Sequence, residues 1–577
     1  MRFISPKTNG YVLYAVTGTN SVSFAIDFEE ANVKGLLGFA VERHDKTEGE
    51  RYFMYGFKVF KETMPQPAPN NMVSTYNQPV QSFVWDDFTG KPDHNYDYYF
   101  YPLKGTPQNI DRSQPPIVVS VATEPLFSTS DVHDVFFNRG VASSQAFARR
   151  FHNQKPSQVH DAAEKAAMLK WLGRDLETAM AQFIAQAKKG DTLLACMYEF
   201  HYQPIVDLFK QAIDRGVQVR IIIDAKNNKA AFPRAENLQA IKKAGIPTAN
   251  VLLREANPSD IQHNKFIVFL QGKAQEPAAV WTGSTNVSEG GIFGQTNVGH
   301  WVRDSKTAAF FVKYWQLLSA DPGGKARQAR PQKIAANDEF KQNVIALQHD
   351  IEAATVQKIP AGITPIFSPR TSDVMLQSYA SLLNSATDCA AITLAFGIND
   401  AFRKVLKGNT PQSHITFMLL EKKDTAGTKS EVKLTAKNNV YEAWGSYIAD
   451  PLYRWTREVN TKILQLNQHV MYIHSKFMLV DPLGAEPLIV TGSANFSEAS
   501  IVGNDENMII IKGNRRAADI YFTEFNRLFN HYYFRSVYEE LHSKKTAKPS
   551  SDTSLFLAPN DSWLAKYKPG KLRYKRV

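Results

Sequence analysis

Two stretches of this 577-residue chain repeat one another block by block, and that repetition constrains the fold more than any other feature. The first reads Ile261-Gln262-His263-Asn264-Lys265-Phe266-Ile267-Val268-Phe269, followed by Trp281-Thr282-Gly283-Ser284-Thr285-Asn286-Val287-Ser288-Glu289. The second reads Tyr472-Ile473-His474-Ser475-Lys476-Phe477-Met478-Leu479-Val480-Asp481, followed by Val490-Thr491-Gly492-Ser493-Ala494-Asn495-Phe496-Ser497-Glu498. The motif His precedes its glycine by 20 residues in one copy (263 to 283) and by 18 in the other (474 to 492). A further glycine follows 11 residues later in both, at Gly294 and Gly503. A chain of this length exceeds what one hydrophobic core organises, so the repeat predicts two similar lobes.

The surroundings repeat as well. Thr192 to Tyr198 predicts a strand, Gln203 to Arg215 a helix that Gly216 ends, and Val217 to Asp224 a second strand, together a βαβ unit. The second half returns the same order: Ala390 to Phe396, Asp400 to Lys407, His414 to Glu421. Helical spacing marks His160 to Lys188 and Ile334 to Lys358 ahead of each unit. A polar insert, Lys422 to Gln468 with Trp444 and Trp455, is a candidate wall for a substrate groove. Upstream, short aromatic and β-branched runs recur between turn residues: Tyr11 to Val16, Ser21 to Asp27, Gly35 to Arg43, Arg51 to Phe60, Gln81 to Trp85, Tyr96 to Leu103 and Ile117 to Thr123. They predict a β-sandwich, with Met64 to Pro79 as a long loop. The expected class is α/β: two pseudo-repeated lobes, each a mixed sheet flanked by helices, after an all-β sandwich-like N-terminal domain. Boundaries fall near 1–125, 126–330 and 331–545, with a basic tail at 546–577; a connector containing Phe136-Phe137-Asn138-Arg139-Gly140 opens the first lobe.

Residue types in the blocks point to phosphate chemistry. In a strand, His-x-Lys places both side chains on one face. The ammonium neutralises non-bridging phosphate oxygens, and the imidazole attacks phosphorus or moves a proton. In Gly-Ser-x-Asn the glycine permits a tight turn, and Ser and Asn offer donors to phosphate oxygens. Two copies supply two imidazoles, a nucleophile and a general acid, across one phosphate. That scheme needs no metal or other cofactor, and neither His-Glu-x-x-His nor paired Cys-x-x-Cys occurs in the sequence. His201 and His300, near the core strands, read as ordinary satisfied histidines.

The pattern is similar to that of the phospholipase D superfamily, whose repeated motif is His-x-Lys-x-x-x-x-Asp, typically followed by a Gly-Ser-x-Asn-like turn. The second half matches in full with His474, Lys476 and Asp481; the resemblance spans roughly residues 165 to 540. It implies a covalent phosphohistidine route: one motif His attacks phosphorus, and the other protonates the leaving oxygen and then activates water. Lys265 and Lys476 would hold the phosphate, helped by Ser284, Asn286, Ser493 and Asn495. Glu506 matches the family's acid that orients a motif His through its other ring nitrogen. The first half departs at two positions: Leu270 stands where the motif has Asp, and Asn297 stands where the second half has Glu506. Family habit makes the N-terminal His the nucleophile, the neutral Asn297 argues the other way, and the roles of His263 and His474 stay interchangeable. Asp481, at a strand end before Pro482, reads as structural rather than as a reactant.

Lys and Arg number 67 against 56 Asp and Glu, a net charge of +11. A basic surface favours polyanions, either nucleic acid or an anionic phospholipid face. The tail from Lys566 to Arg576 interleaves Lys and Arg with Tyr, which suits a nucleic-acid backbone, anionic lipid heads or a frayed solubilising end. Two cysteines, Cys196 and Cys389, fit buried thiols in a reducing compartment. The sequence shows neither an apolar signal at its start nor an 18-residue apolar run, so the expected location is cytoplasmic. The expected activity is a metal-independent phosphodiesterase (a hydrolase), foremost a nuclease acting on DNA or RNA. A phospholipase D or phosphatidyltransferase is the alternative, and a silent binding protein the third reading. The N-terminal domain is a candidate docking module for a regulatory partner.

Overall fold

A computed structural model describes residues 1–67, 72–140, 147, 150–152, 156–226, 233–256, 261–347, 358–424, 434–445, 473–543 and 556–576. They fall into two compact units. One takes the described residues of Met1–Leu126 and Ala518–Val577; the other takes those of Phe127–Ala449 and Glu458–Ala517. No described helix is long and apolar enough to cross a membrane.

In the second unit the duplication predicted from the motifs is written into sheet topology. The first lobe has strands β1 (His133–Phe137), β2 (Thr192–Met197), β3 (Gln218–Asp224), β4 (Val251–Arg254), β5 (Lys265–Gln271), β6 (Glu276–Gly283) and β7 (Val298–Val302). The second has β8 (Gly362–Ser368), β9 (Cys389–Leu394), β10 (Ile415–Leu420), β11 (Val440–Trp444), β12 (Phe477–Val480), β13 (Leu488–Gly492) and β14 (Glu506–Lys512). The spatial orders are β1-β7-β6-β5-β2-β3-β4 and β8-β14-β13-β12-β9-β10-β11, one permutation used twice. In each, the two βαβ pairings are parallel and the rest antiparallel. β2 is buried along its whole length, as befits a strand covered on both faces.

The helices follow the same logic. Gln203–Asp214 has Pro204 in its first turn, buries Ile205, Val206, Phe209 and Ala212 on one stripe, and stops before Gly216 at φ +85°. The helical stretch predicted over 160–188 is two helices, Ala162–Gly173 and Leu176–Ala185, broken at Arg174 with φ +50°. A Cβ on Gly173 would fall 2.9 Å from the Phe293 ring, so the chain closes on that ring and must turn there. The predicted helix over 334–358 spans Arg330–Ala346. Of the 422–468 insert, Trp444 ends β11 and is buried, with the Lys423 ammonium 4.9 Å from its ring centroid; Trp455 lies outside the described residues.

The first unit packs a four-stranded antiparallel sheet (2–4, 11–17, 22–28, 84–87) against a second sheet built on the long strand Asn95–Thr106. Tyr11, Phe24, Phe39, Tyr98 and Phe100 meet in the core between them. Within the loop expected at 64–79, Val73–Ser74 pairs with Tyr55–Gly56. Residues 556–576, which the sequence placed in a basic tail, are folded into this unit. Phe556–Leu557 pairs in parallel with Val59–Phe60, Trp563 donates Nε1–H to Leu36 O at 2.8 Å, and the Tyr567 hydroxyl meets Ser82 Oγ at 2.7 Å. Trp563 and Tyr567 are buried in the aromatic core, so burial rather than solvation holds this segment.

Candidate active site

The two motifs lie at corresponding ends of β5 and β12 and face each other across the pseudo-twofold relation of the lobes. Each leads into its strand rather than sitting inside it, β5 opening on Lys265 and β12 on Phe477, just after Lys476. Two isolated parallel bridges join the lobes there, Gln262 with Asp505 and Thr296 with Ile473. Asp505 O accepts from His263 N at 2.9 Å, while Thr296 Oγ1 accepts from His474 N at 3.2 Å.

These bridges produce a crossed arrangement: each motif His is oriented from the other lobe. His263 Nδ1 donates to Glu506, with Oε1 at 2.9 Å and Oε2 at 3.0 Å. His474 Nδ1 donates to Asn297 Oδ1 at 2.8 Å. The amide of Asn297 has one consistent orientation, because its Nδ2 donates to Gly291 O at 2.7 Å and its backbone N–H to Asn138 Oδ1 at 2.9 Å. Both imidazoles therefore carry the proton on Nδ1 and the lone pair on Nε2. Asn138, in the connector, also donates to Ile292 O and Gln295 O, clamping the turn that carries Asn297.

The lysines are equally symmetric. Lys265 Nζ donates to His263 O and Lys476 Nζ to His474 O, each at 2.7 Å. His263, His474, Lys265 and Lys476 are all buried. Burial pushes His263 down to about 4, against the pull of Glu506, and pushes Lys265 down to about 8. His474 and Lys476 are also driven down by burial, with the neighbouring cations acting in the same direction. For Glu506 burial acts upward, but His263 and Lys265 hold it below the usual carboxylate range. The site thus pairs an ionised Glu506 with rings and ammoniums whose charged forms burial disfavours.

The serines predicted to help hold phosphate have their hydroxyls bonded within the protein. Ser284 Oγ donates to Asn297 Oδ1 at 2.8 Å and accepts from Val298 N at 3.1 Å. Ser493 Oγ donates to Asn507 O, accepts from Asn507 N at 3.0 Å and supports Glu506. Ser284 is thus engaged with Asn297, which orients His474, and Ser493 chiefly with Asn507, the residue after Glu506. The glycines before them serve close approach: a Cβ at Gly283 would lie 2.3 Å from Val298 O, and one at Gly492 would lie 2.2 Å from Asn507 O. Asn286 and Asn495 are buried, and each has an Oδ1 with no hydrogen-bond partner among the described residues.

Asp481 does not join the reacting groups. It lies past the far end of β12 at φ +43°, where Oδ2 accepts from Thr387 N and Oδ1 from Asp388 N, both at 2.8 Å, and Oδ1 also from Cys389 N at 3.1 Å. Its carboxylate fastens the start of β9 to the end of β12. Leu270 lacks that carboxylate, and in the first lobe Asp191 supplies it from the opposite strand, accepting from Gly272 N at 2.7 Å. His300 is buried and bonded to His133, Nε2 to Nδ1 at 2.9 Å, away from the motifs.

Several residues here went unnoticed in the sequence. Asp224 and Glu421 follow equivalent strands and accept the backbone N–H just before each motif His, Gln262 N at 2.9 Å and Ile473 N at 2.7 Å. The two predicted strands Val217 to Asp224 and His414 to Glu421 both end in an acid, which was the available signal. Arg254 reaches across to Asp505, Nε to Oδ2 at 2.7 Å, and so supports the backbone that holds His263. The rim is asymmetric. Two residues past β2 stands Glu199, whose charge acts on both lysines; two residues past β9 stands Phe396, 66% exposed. The Tyr198 ring packs edge-on against His263 at 5.0 Å between centroids.

Residues 180–317 and 414–529 match the family model described as cardiolipin synthase, PLD-like domain. A search of curated protein sequences returns no match. Among solved structures, phosphatidylserine synthase of Haemophilus influenzae is 12% identical over 65% of this chain and 92% of its own, with a TM-score of 0.41. The Nuc protein of Salmonella typhimurium is 17% identical over 29% of this chain and 93% of its own, with a TM-score of 0.20. Yeast tyrosyl-DNA phosphodiesterase is 13% identical over 57% and 83%, with a TM-score of 0.27. With the repeated motif, the duplicated sheets and the matched residues in agreement, the two lobes of the chain form a PLD-like domain of the phospholipase D superfamily, whose chemistry acts on phosphodiesters.

Proposed function

We propose that the chain is a phosphodiesterase that needs no metal for chemistry, works through a phosphohistidine, and acts on nucleic acid. The observation that carries the mechanism is the crossed pairing of His263 with Glu506 and His474 with Asn297. A phosphodiester entering the site brings negative charge and raises the proton affinity of Lys265, Lys476 and His474. Nε2 of His263 then attacks phosphorus, forming an N–P bond as the P–O bond to the leaving group breaks. His474, protonated in the complex, gives its Nε2 proton to that oxygen. The positive charge left on the phosphorylated ring is stabilised by Glu506 through Nδ1–H, which assigns the nucleophile to His263. Water then attacks phosphorus, His474 takes its proton, and the N–P bond breaks. Lys265, Lys476 and the amides of Asn286 and Asn495 hold the phosphoryl oxygens.

Two features favour nucleic acid: the +11 net charge and the exposed Phe396 at the rim, a face for stacking a base. A phospholipid substrate is the second reading, favoured by the description of the matching family model. The test gives wild type, His263→Ala and His474→Ala labelled single-stranded DNA, duplex DNA, RNA and phosphatidylglycerol vesicles, all in EDTA. The expected result is nucleic-acid cleavage that falls at least about a thousandfold in both variants. Turnover of the vesicles alone moves the substrate to phospholipid, and cleavage that survives both substitutions removes the mechanism.

A further inference from the structure

A second cluster of reactive side chains stands in the first unit, apart from the candidate active site. Asp45 ends the strand Gly38–Asp45, Glu48 lies in the turn that follows, and His94 immediately precedes the strand Asn95–Thr106. One ligand atom from each lies within 4.8 Å of the others. His94 Nε2 is 3.1 Å from Glu48 Oε1 and 3.9 Å from Asp45 Oδ2.

Two observations point to a cation among them. The first is the imidazole. Its Nδ1 lies 2.8 Å from Pro92 O, a carbonyl that can only accept, so Nδ1 carries a proton, and Nε2 faces two carboxylates that raise the ring's proton affinity against the effect of burial. With Nε2 protonated the ring is itself the positive group between the two carboxylates, and a metal ion taking that place would displace the proton. A ring nitrogen held by a backbone carbonyl while the other points at carboxylates is how proteins orient a metal-bound histidine. The second is Asp45. Its side chain is 1% exposed, Oδ1 accepts from Thr47 N and Glu48 N, and the buried Oδ2 has no hydrogen-bond partner among the described residues, its nearest charged neighbour being His94 Nε2 at 3.9 Å. A buried carboxylate oxygen left unpaired is costly unless a partner completes it.

We infer that Asp45, Glu48 and His94 form a binding site for one divalent transition-metal ion of the zinc class, which ties the 45–49 turn to the start of the Asn95 strand. Tetrahedral zinc with bonds of about 2.0 Å sets its ligand atoms about 3.3 Å apart, so the 3.1 Å and 3.9 Å separations from His94 would need a small side-chain adjustment at Asp45. One nitrogen and two carboxylate oxygens suit zinc better than calcium, which takes six to eight oxygens. The remaining position is open to water. Lys91 competes only in part, because its ammonium contacts Glu48 through Oε2 and leaves Oε1 toward His94. No sequence motif announces this site, since His94 stands 46 residues after Glu48 and reaches it by strand pairing, Tyr96 lying opposite Asp45.

The experiment uses the full-length chain, stripped with EDTA and exchanged into chelator-free buffer. Zinc, manganese and calcium chloride are titrated while thermal unfolding and bound metal per chain are measured. One zinc per chain is expected, with a rise in Tm of a few degrees and little response to calcium. Asp45→Asn keeps the Oδ1 acceptor for the turn and changes only the inward atom; with it, as with His94→Gln, zinc affinity should fall about a hundredfold. Glu48→Gln, at a half-exposed position, is the variant least able to disturb folding and should weaken zinc at least about tenfold. His263→Asn should leave binding unchanged. Zinc binding that ignores these three substitutions, or that vanishes in His263→Asn, overturns the assignment, as does a wild-type chain that binds none. The readouts are stability and stoichiometry, so they succeed or fail independently of phosphodiesterase activity.

Discussion

At the scale of single residues, the site is governed by which neighbour each imidazole meets. Glu506 gives His263 a full negative charge, whereas Asn297 gives His474 only a dipole. Glu506→Gln should keep the geometry and lower kcat by about a hundredfold or more, because the phosphorylated ring loses its counter-charge. Asn297→Asp should move the acid–base limb assigned to His474 upward by about one pH unit, read from the pH profile of kcat. An unmoved limb would mean that His474 is not the group titrating. The buried rings also make stability depend on pH. His263 binds its proton at about 4 in the folded chain against an ordinary value of 6.5. Between those values the unfolded chain takes up a proton that the folded one refuses. The stability contribution is therefore complete above pH 6.5 and is lost as pH falls toward 4, by up to about 3 kcal/mol, with His474 adding in the same direction. Denaturant titrations from pH 7.5 to 4.5 should show this slope in wild type and a flatter one in His263→Gln; equal slopes would refute it.

At the scale of elements, one carboxylate per lobe fastens the strand that carries the motif to the strand beside it. Asp481 does this from the end of β12 and Asp191 from the start of β2. The motif position Leu270 is thus not a defect in the first lobe, because the same join is made from the other strand. Asp481→Ala should cost about 1–3 kcal/mol, since three backbone N–H groups lose their acceptor. Its kcat should stay within about threefold of wild type at a temperature where the variant is folded; a loss like that of His474→Ala would make Asp481 a reactant after all. The repeated strands, the βαβ order and the Gly216 stop were legible in the sequence because each rests on local periodicity and turn chemistry. The break at Arg174 was not, because it comes from Gly173 meeting Phe293, 120 residues away.

At the scale of the whole molecule, the last residues complete the N-terminal β unit. Trp563 fills its aromatic core, and Trp563→Ala should lower stability by about 3–5 kcal/mol, with its unfolding transition shifted accordingly. Tryptophan fluorescence and denaturant midpoints would check this, and a shift below about 1 kcal/mol would show that the segment is dispensable. By itself the sequence determined that there are two lobes and one kind of chemistry, because His-x-Lys and Gly-Ser-x-Asn are local patterns whose meaning survives in one dimension. It also contained every residue of the site. The tertiary structure decided which residue serves which: that Glu506 orients His263 rather than its own lobe's His474, that the serine hydroxyls are bonded within the protein, and that Asp481 lies out of reach. The physical reason is that orientation, burial and charge depend on neighbours brought by the pairing of two distant lobes, as at Gln262 with Asp505 and Thr296 with Ile473, and such pairings leave no periodic trace along the chain.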